Sequence, residues 1–177
     1  GYSSFANLAQ SRPELFSYFH PSLYTPEACL EYARSDMFPK EVSGSSEDEK
    51  VLKINGYQVS SDRFFLNEEI CIEALKHSSF LFSCIPEKML SNRICEFAVK
   101  QDCDNFRYVP PQYMTPSLCE MAVRNYEGNI KYVPESLRTY EMCMEVVERD
   151  GSYLAYVPEP LKTEDICETA FNETPHA

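Results

Sequence analysis

The chain has no tryptophan, three histidines and five glycines among its 177 residues. Each scarcity excludes something. A cysteine nucleophile needs an imidazole or another activating group close by. His77 reads as a surface residue at a helix end, where the dipole favours a cation. His20 precedes Pro21, and His176 lies in the tail. Five glycines leave no phosphate-cradling loop. No apolar run approaches the roughly 18 residues of a membrane-crossing helix, and no charged-then-apolar leader opens the chain. The start, Gly1-Tyr2-Ser3-Ser4, leaves room for an upstream segment. Positive charge is also scarce: 16 basic against 28 acidic side chains give a net charge of −12. Nucleic acid and anionic membranes are therefore disfavoured as partners.

Cysteine, by contrast, is abundant and regularly placed. Cys71, Cys95, Cys119, Cys143 and Cys167 follow one another at intervals of 24 residues. A proline stands nine residues before each of the last four: Pro86, Pro110, Pro134 and Pro158. A fixed period of this length means stacked supersecondary units. Equivalent residues of stacked helices lie about 8–10 Å apart, whereas a disulfide needs Cα atoms within about 7 Å. A zinc site needs four ligands converging on one point. One cysteine per unit suits neither geometry. These cysteines, with Cys29, are expected to be small, buried, reduced core residues, in a reducing compartment. No metal and no cofactor are expected.

Thr25, Asn67, Ser91, Thr115, Thr139 and Thr163 open the units as helix N-caps. Behind each cap runs one apolar helical stripe, as in Ile94, Cys95, Ala98 and Val99. Helices are predicted over 26–34, 45–54, 68–77, 92–101, 116–126, 140–149 and 164–172. Gly128 and Gly151 are placed near helix ends, where a left-handed residue often stops the helix. Segments such as Phe106-Arg107-Tyr108-Val109-Pro110 read as extended entries that bury alternate side chains. The prolines then start one-turn helices, possible 3₁₀ turns, that end on Met89, Tyr113, Leu137 and Leu161. The fold class is thus all-α, an α-solenoid of roughly 24-residue helix–turn–short-helix repeats. It is one repeat domain over 1–177: degenerate units over 1–66 with a polar loop near 43–50, regular repeats over 67–172, and a frayed tail over 173–177. Over 43–66 a degenerate helical unit competes with a hairpin through Asn55-Gly56, a type I′ turn signal; the helix is the preferred reading.

The signature Tyr-Val-Pro-Glu-x-Leu-x-Thr-x-x-x-Cys, at Tyr132–Cys143 and Tyr156–Cys167, resembles a family of short bacterial tandem repeats of unknown function. It is similar to segments of effector-like proteins from intracellular pathogens. The resemblance covers about residues 80–172 well and 20–79 loosely. Cys84 stands in for the tyrosine and Ser91 for the threonine. The resemblance implies helical repeats and protein interaction, and it brings no catalytic residues.

No pair of carboxylates or cysteine–histidine pair emerges as catalytic, although Cys84 with His77, or Cys103 with a histidine, is conceivable. Carboxylates read as a solvated face, and aromatics at the repeat spacing read as core. The residues that break the pattern carry more information. Phe97 and Met121 are large apolar residues in a column that holds Glu73, Glu145 and Thr169 elsewhere. Glu96, Glu120, Lys100 and Arg124 flank them. The strip reads either as packing against a short helix or as a partner site with a charged rim. The expected function is a non-enzymatic protein–protein interaction module, plausibly part of a bacterial effector acting on a host protein. The alternative is a substrate-recruiting domain of a larger enzyme. The expected location is the bacterial cytoplasm or, for a secreted effector, the host cytosol. Oligomeric state is left open.

Overall fold

A computed structural model describes residues 24–34, 51–54 and 57–173. The chain divides into two compact units, Gly1–Tyr108 and Val109–Ala177. The first contains α1 (Pro26–Ala33), strands β1 (Val51–Ile54) and β2 (Tyr57–Ser60), and the short α2 (Ser61–Phe64). It continues with α3 (Glu68–His77), α4 (Asn92–Gln101) and 3₁₀ helices at Ser79–Cys84, Glu87–Met89 and Cys103–Tyr108. The second contains α5 (Pro116–Asn125), α6 (Tyr140–Arg149) and α7 (Glu164–Glu173). Its 3₁₀ helices are Pro111–Tyr113, Glu127–Tyr132, Glu135–Leu137, Gly151–Tyr156 and Glu159–Leu161. The expected helical-repeat class is the observed one.

Five of the α-helices, α1, α3, α4, α5 and α6, start on a side-chain cap. Side-chain oxygens of Asn67, Ser91, Thr115 and Thr139 accept from the amides of Ile70, Ile94, Leu118 and Met142 at 3.0, 3.3, 3.2 and 3.2 Å. Thr25 does the same for Ala28 at 3.2 Å. These bonds satisfy amides that the helix itself leaves without partners. The helices do not end on left-handed glycines. They end on extended residues, Ser78, Asp102, Tyr126 and Asp150, whose φ values run from −152° to −157°. The amide of each still closes onto the helix, and the chain then turns directly into a 3₁₀ segment.

Those six-residue 3₁₀ segments replace the expected extended entries. Three residues per turn put positions i and i+3 on one face. Phe82 with Ile85, and Ile130 with Val133, are accordingly buried. Lys131 and Tyr132, between the second pair, are exposed, whereas Cys84, between the first, is buried. The later turns match the sequence reading, with Pro86, Pro110, Pro134 and Pro158 each capping a single 3₁₀ turn.

Two buried asparagines complete the unit. Asn105 Nδ2 donates to Ala98 O at 3.2 Å and to Ser79 O at 3.0 Å. Asn129 Nδ2 donates to Ala122 O at 3.1 Å. Each therefore ties a 3₁₀ segment to the end of the preceding α-helix. Buried polar groups of this kind are tolerated because they are bonded.

In the first unit α3 packs against α1 and α4; in the second α6 packs against α5 and α7. Cys29, Cys71, Cys95, Cys119 and Cys143 are completely buried, and all eight cysteines are free thiols. Cys167 departs from the expectation: it is exposed. Its stripe of α7 has no following helix upon it among the described residues.

The helix expected over 45–54 is not formed at 51–54. Val51–Ile54 pairs antiparallel with Tyr57–Ser60, Ile54 opposite Tyr57 and Val51 opposite Ser60. The physical reason is local: β-branched Val51, Ile54 and Val59 flank Asn55-Gly56, and such residues favour strands joined by a two-residue turn. α2, which follows at once, was not anticipated. Its Phe64 lies edge-on to Tyr32 of α1, with ring centroids 6.3 Å apart at 83°. The expected polar loop near 43–50, the tail beyond 173, His20 and His176 lie outside the described residues. Among the described residues no helix is long and apolar enough to cross a membrane.

Candidate interaction surface

The 3₁₀ geometry decides which aromatics face water. Tyr108, Tyr132 and Tyr156 share one repeat position and are 50%, 36% and 37% exposed. The valine after each is buried. This corrects the reading of repeat-spaced aromatics as core: the burial period is three here, not two. Cys84, in the same column, is buried.

In the second unit these tyrosines gather neighbours. Tyr153 and Tyr156 have ring centroids 6.1 Å apart, tilted by 40°. Lys131 Nζ lies 4.9 Å from the Tyr132 ring centroid, a cation–π distance. Tyr126 is exposed, and its ring lies over Gly128: a Cβ on that glycine would stand 2.7 Å from the ring edge. Gly128 therefore serves close approach. Burial pushes the Tyr153 phenol above its usual pKa, with help from the charges of Glu127 and Asp150 nearby. Arg138 fixes the backbone beneath, donating from Nε to Val133 O at 3.0 Å and from Nη1 to Tyr156 O at 2.6 Å.

The second unit also carries a charged groove. Arg149 donates to Arg124 O at 3.1 Å and to Glu145 at 2.8 Å, and it lies 3.5 Å from Glu127. Arg124 approaches Glu145 at 3.8 Å. Glu120, Arg124, Thr139, Glu141, Met142 and Glu145 line a groove of about 260 Å³.

The residues singled out from sequence fall into both units. On α4, Phe97 is half-buried, and Lys100 lies 3.9 Å from Glu96. On α5, Met121 is half-buried, while Glu120 and Arg124 are exposed at the groove. Neither Phe97 nor Met121 is full core. Sequence reasoning missed the tyrosine column and Asn105 with Asn129. The signal for the asparagines was present, since they stand one period apart.

Burial raises the pKa of the core thiols, the opposite of activation. Burial pushes Cys71 and Cys95 up to about 12 and Cys119 to about 11. Cys103 is raised as well, by burial and by the neighbouring Asp104 and Asp102. Asp102, Cys103 and Asp104 bring ligand atoms within 4.8 Å of one another. Their carboxylates serve the turn: Asp102 accepts from the Asp104 amide at 3.0 Å and from Ser79 Oγ at 3.2 Å.

No curated protein and no solved structure matches the chain. Residues 67–114 and 115–162, together more than half of it, each match a family model. Each match begins on a helix cap, Asn67 or Thr115, and takes in two 24-residue units. The chain therefore belongs to the family described as Domain of unknown function (DUF4116).

Proposed function

We propose that this protein is a non-enzymatic module that binds another protein through the exposed tyrosines of its repeats. The observation that carries this reading is the pair Tyr132 and Tyr156 of the second unit, held open by 3₁₀ turns beside buried valines. Tyrosine supplies a large amphipathic contact with few torsions to freeze, and binding energy concentrates in such residues. Thiols raised to about 11 or 12 argue against cysteine catalysis at Cys71, Cys95 and Cys119. The resemblance to repeats of bacterial effector-like proteins makes a host protein the partner to seek first. Phe97 in the first unit and Met121 in the second, both half-buried, are further candidate contact residues. The test is affinity capture with the parent, Tyr132→Ala/Tyr156→Ala and Phe97→Ser/Met121→Ser, each checked for an unchanged melting temperature. A partner retained by the parent and lost by the tyrosine variant supports the proposal. Retention unchanged in the tyrosine variant refutes the pair as the site, and loss confined to the other double variant moves the site to Phe97 and Met121.

A further inference from the structure

Three residues of the second unit break the repeat close to one another. Tyr126 stands where the equivalent positions hold Ser78, Asp102 and Asp150. Tyr153 stands in the column of Leu81, Asn105 and Asn129, and exchanges the asparagines' tie to the preceding α-helix for a ring. Ala155 stands in the column of Ser83, Arg107 and Lys131, just before the exposed tyrosines. The first two meet, because the Tyr153 phenol feels Glu127, Tyr126, Asp150 and Tyr156 around it. The third adjoins Tyr156, whose ring centroid lies 6.1 Å from that of Tyr153. These departures add two rings and remove one cation.

The other repeats show where that cation sits. Arg107 Cζ lies 5.2 Å from the Tyr108 ring centroid, and Lys131 Nζ lies 4.9 Å from that of Tyr132. Each cation comes from the residue just before its ring. At Tyr156 that residue is Ala155, and among the described residues no cation lies over the ring. Its openness belongs to the turn: Tyr156 is 37% exposed, and Tyr132, with a further repeat after it, is 36% exposed. Tyr126, earlier again, is 42% exposed. The surroundings are negative. Asp150 accepts from the Ser152 amide at 2.8 Å and forms no ion pair among the described residues. Arg149 is engaged by Glu127 and Glu145, and Arg138 by two backbone carbonyls. Residues 109–177 carry 12 acidic and 5 basic side chains.

We propose that the cluster of Tyr126, Tyr153 and Tyr156 receives an arginine side chain from a basic segment of a partner protein. The guanidinium lies on the Tyr156 ring, where Ala155 leaves the face free, with Asp150 as its counter-charge. Arginine suits the cluster better than lysine. Its planar, weakly hydrated group stacks on a ring while its N–H fork meets a carboxylate. The negative charge of the unit draws a basic segment and repels an acidic one. This inference rests on the reading of Tyr132 and Tyr156 as a protein-binding surface, and it adds the chemistry of the partner.

The test titrates the whole chain into a fluorescein-labelled peptide of alternating glycine and arginine, followed by anisotropy. Physiological salt screens long-range attraction. Saturable binding is expected. Tyr156→Leu keeps apolar bulk but removes the π face, and should weaken binding about three- to tenfold. Ala155→Arg places the repeat's own cation over Tyr156 and should weaken binding at least as much. Ser117→Arg adds the same charge at the far end of α5 and should leave affinity within about twofold. All three positions are exposed, and thermal melts check that the variants fold. Equal binding by the two arginine variants overturns the proposal, because affinity then follows net charge alone. Absence of saturable binding, or indifference to Tyr156→Leu, overturns it too. A lysine peptide of the same length should bind several-fold more weakly, and equal affinity overturns the assignment to arginine. A partner captured through Tyr132 and Tyr156 without arginine-peptide binding refutes this inference alone. Peptide binding with the expected pattern and no captured partner supports the cation site and counts against the protein-binding reading.

Discussion

Cys119 and Cys167 occupy the same place in their helices and meet different surroundings. Cys119 is fully buried, and its thiol is pushed up to about 11 by loss of solvent. Cys167 faces the hollow beside Phe171. Burying a hydroxyl in an apolar site without a partner costs about 1–3 kcal/mol, whereas an exposed substitution usually stays within about 0.5 kcal/mol. Cys119→Ser should therefore lower stability by about 1–3 kcal/mol, and Cys167→Ser should leave it nearly unchanged. Urea titration of the two variants checks this. Equal losses would mean that the last cysteine is as much core as the others. The difference is not legible in the chain, because both helices carry the same pattern, an aliphatic residue followed by Cys-Glu-x-Ala; only the presence or absence of a covering helix separates them.

Between elements, the most specific contact in the first unit is Glu68 of α3 with the start of α4. Bonds from Ser91 and Arg93 hold the Glu68 carboxyl below its ordinary value of 4.5. A carboxyl with a depressed folded pKa contributes stability above its unfolded value, and this is lost as pH falls through the folded value. The melting temperature should accordingly fall as pH drops below about 4.5. Glu68→Gln should flatten part of that fall while lowering stability slightly at neutral pH, since the pair is largely solvent-screened. Melts from pH 7 to pH 3 on both proteins decide it; parallel curves would remove Glu68 from the acid response. The hairpin is an element of a different kind. Val51, Ile54 and Val59 around Asn55-Gly56 carried a readable strand signal. The expectation of one more repeat helix set that signal aside, because regularity elsewhere was extended into a segment that lacks it.

At the scale of the molecule, a repeat protein draws its stability from each unit and from the neighbour on either side. α6 has a helix on both sides within its unit, and α7 has one. Amides of residues 164–173 should therefore exchange faster than those of residues 140–149, by roughly ten- to a hundredfold if one interface is worth about 1.4–3 kcal/mol. Hydrogen-exchange mass spectrometry on the parent measures this directly. Matching protection in the two helices would show that α7 is stabilised by something other than its single neighbour.

Caps and stripes were legible in the sequence by itself. Thr115 with Leu118, or Ser91 with Ile94, is a contact three residues long, so local chemistry places the helix start. The period of 24 residues likewise announces stacking, since each unit's stripe needs a neighbour. Tertiary structure decided the rest. Tyr132 faces water and Val133 does not because a 3₁₀ turn sets a period of three, and Asn129 ties that turn back to Ala122 O. Cys167 is open and Cys143 closed because burial belongs to a pair of helices, a property that no residue carries in its own neighbourhood of the chain.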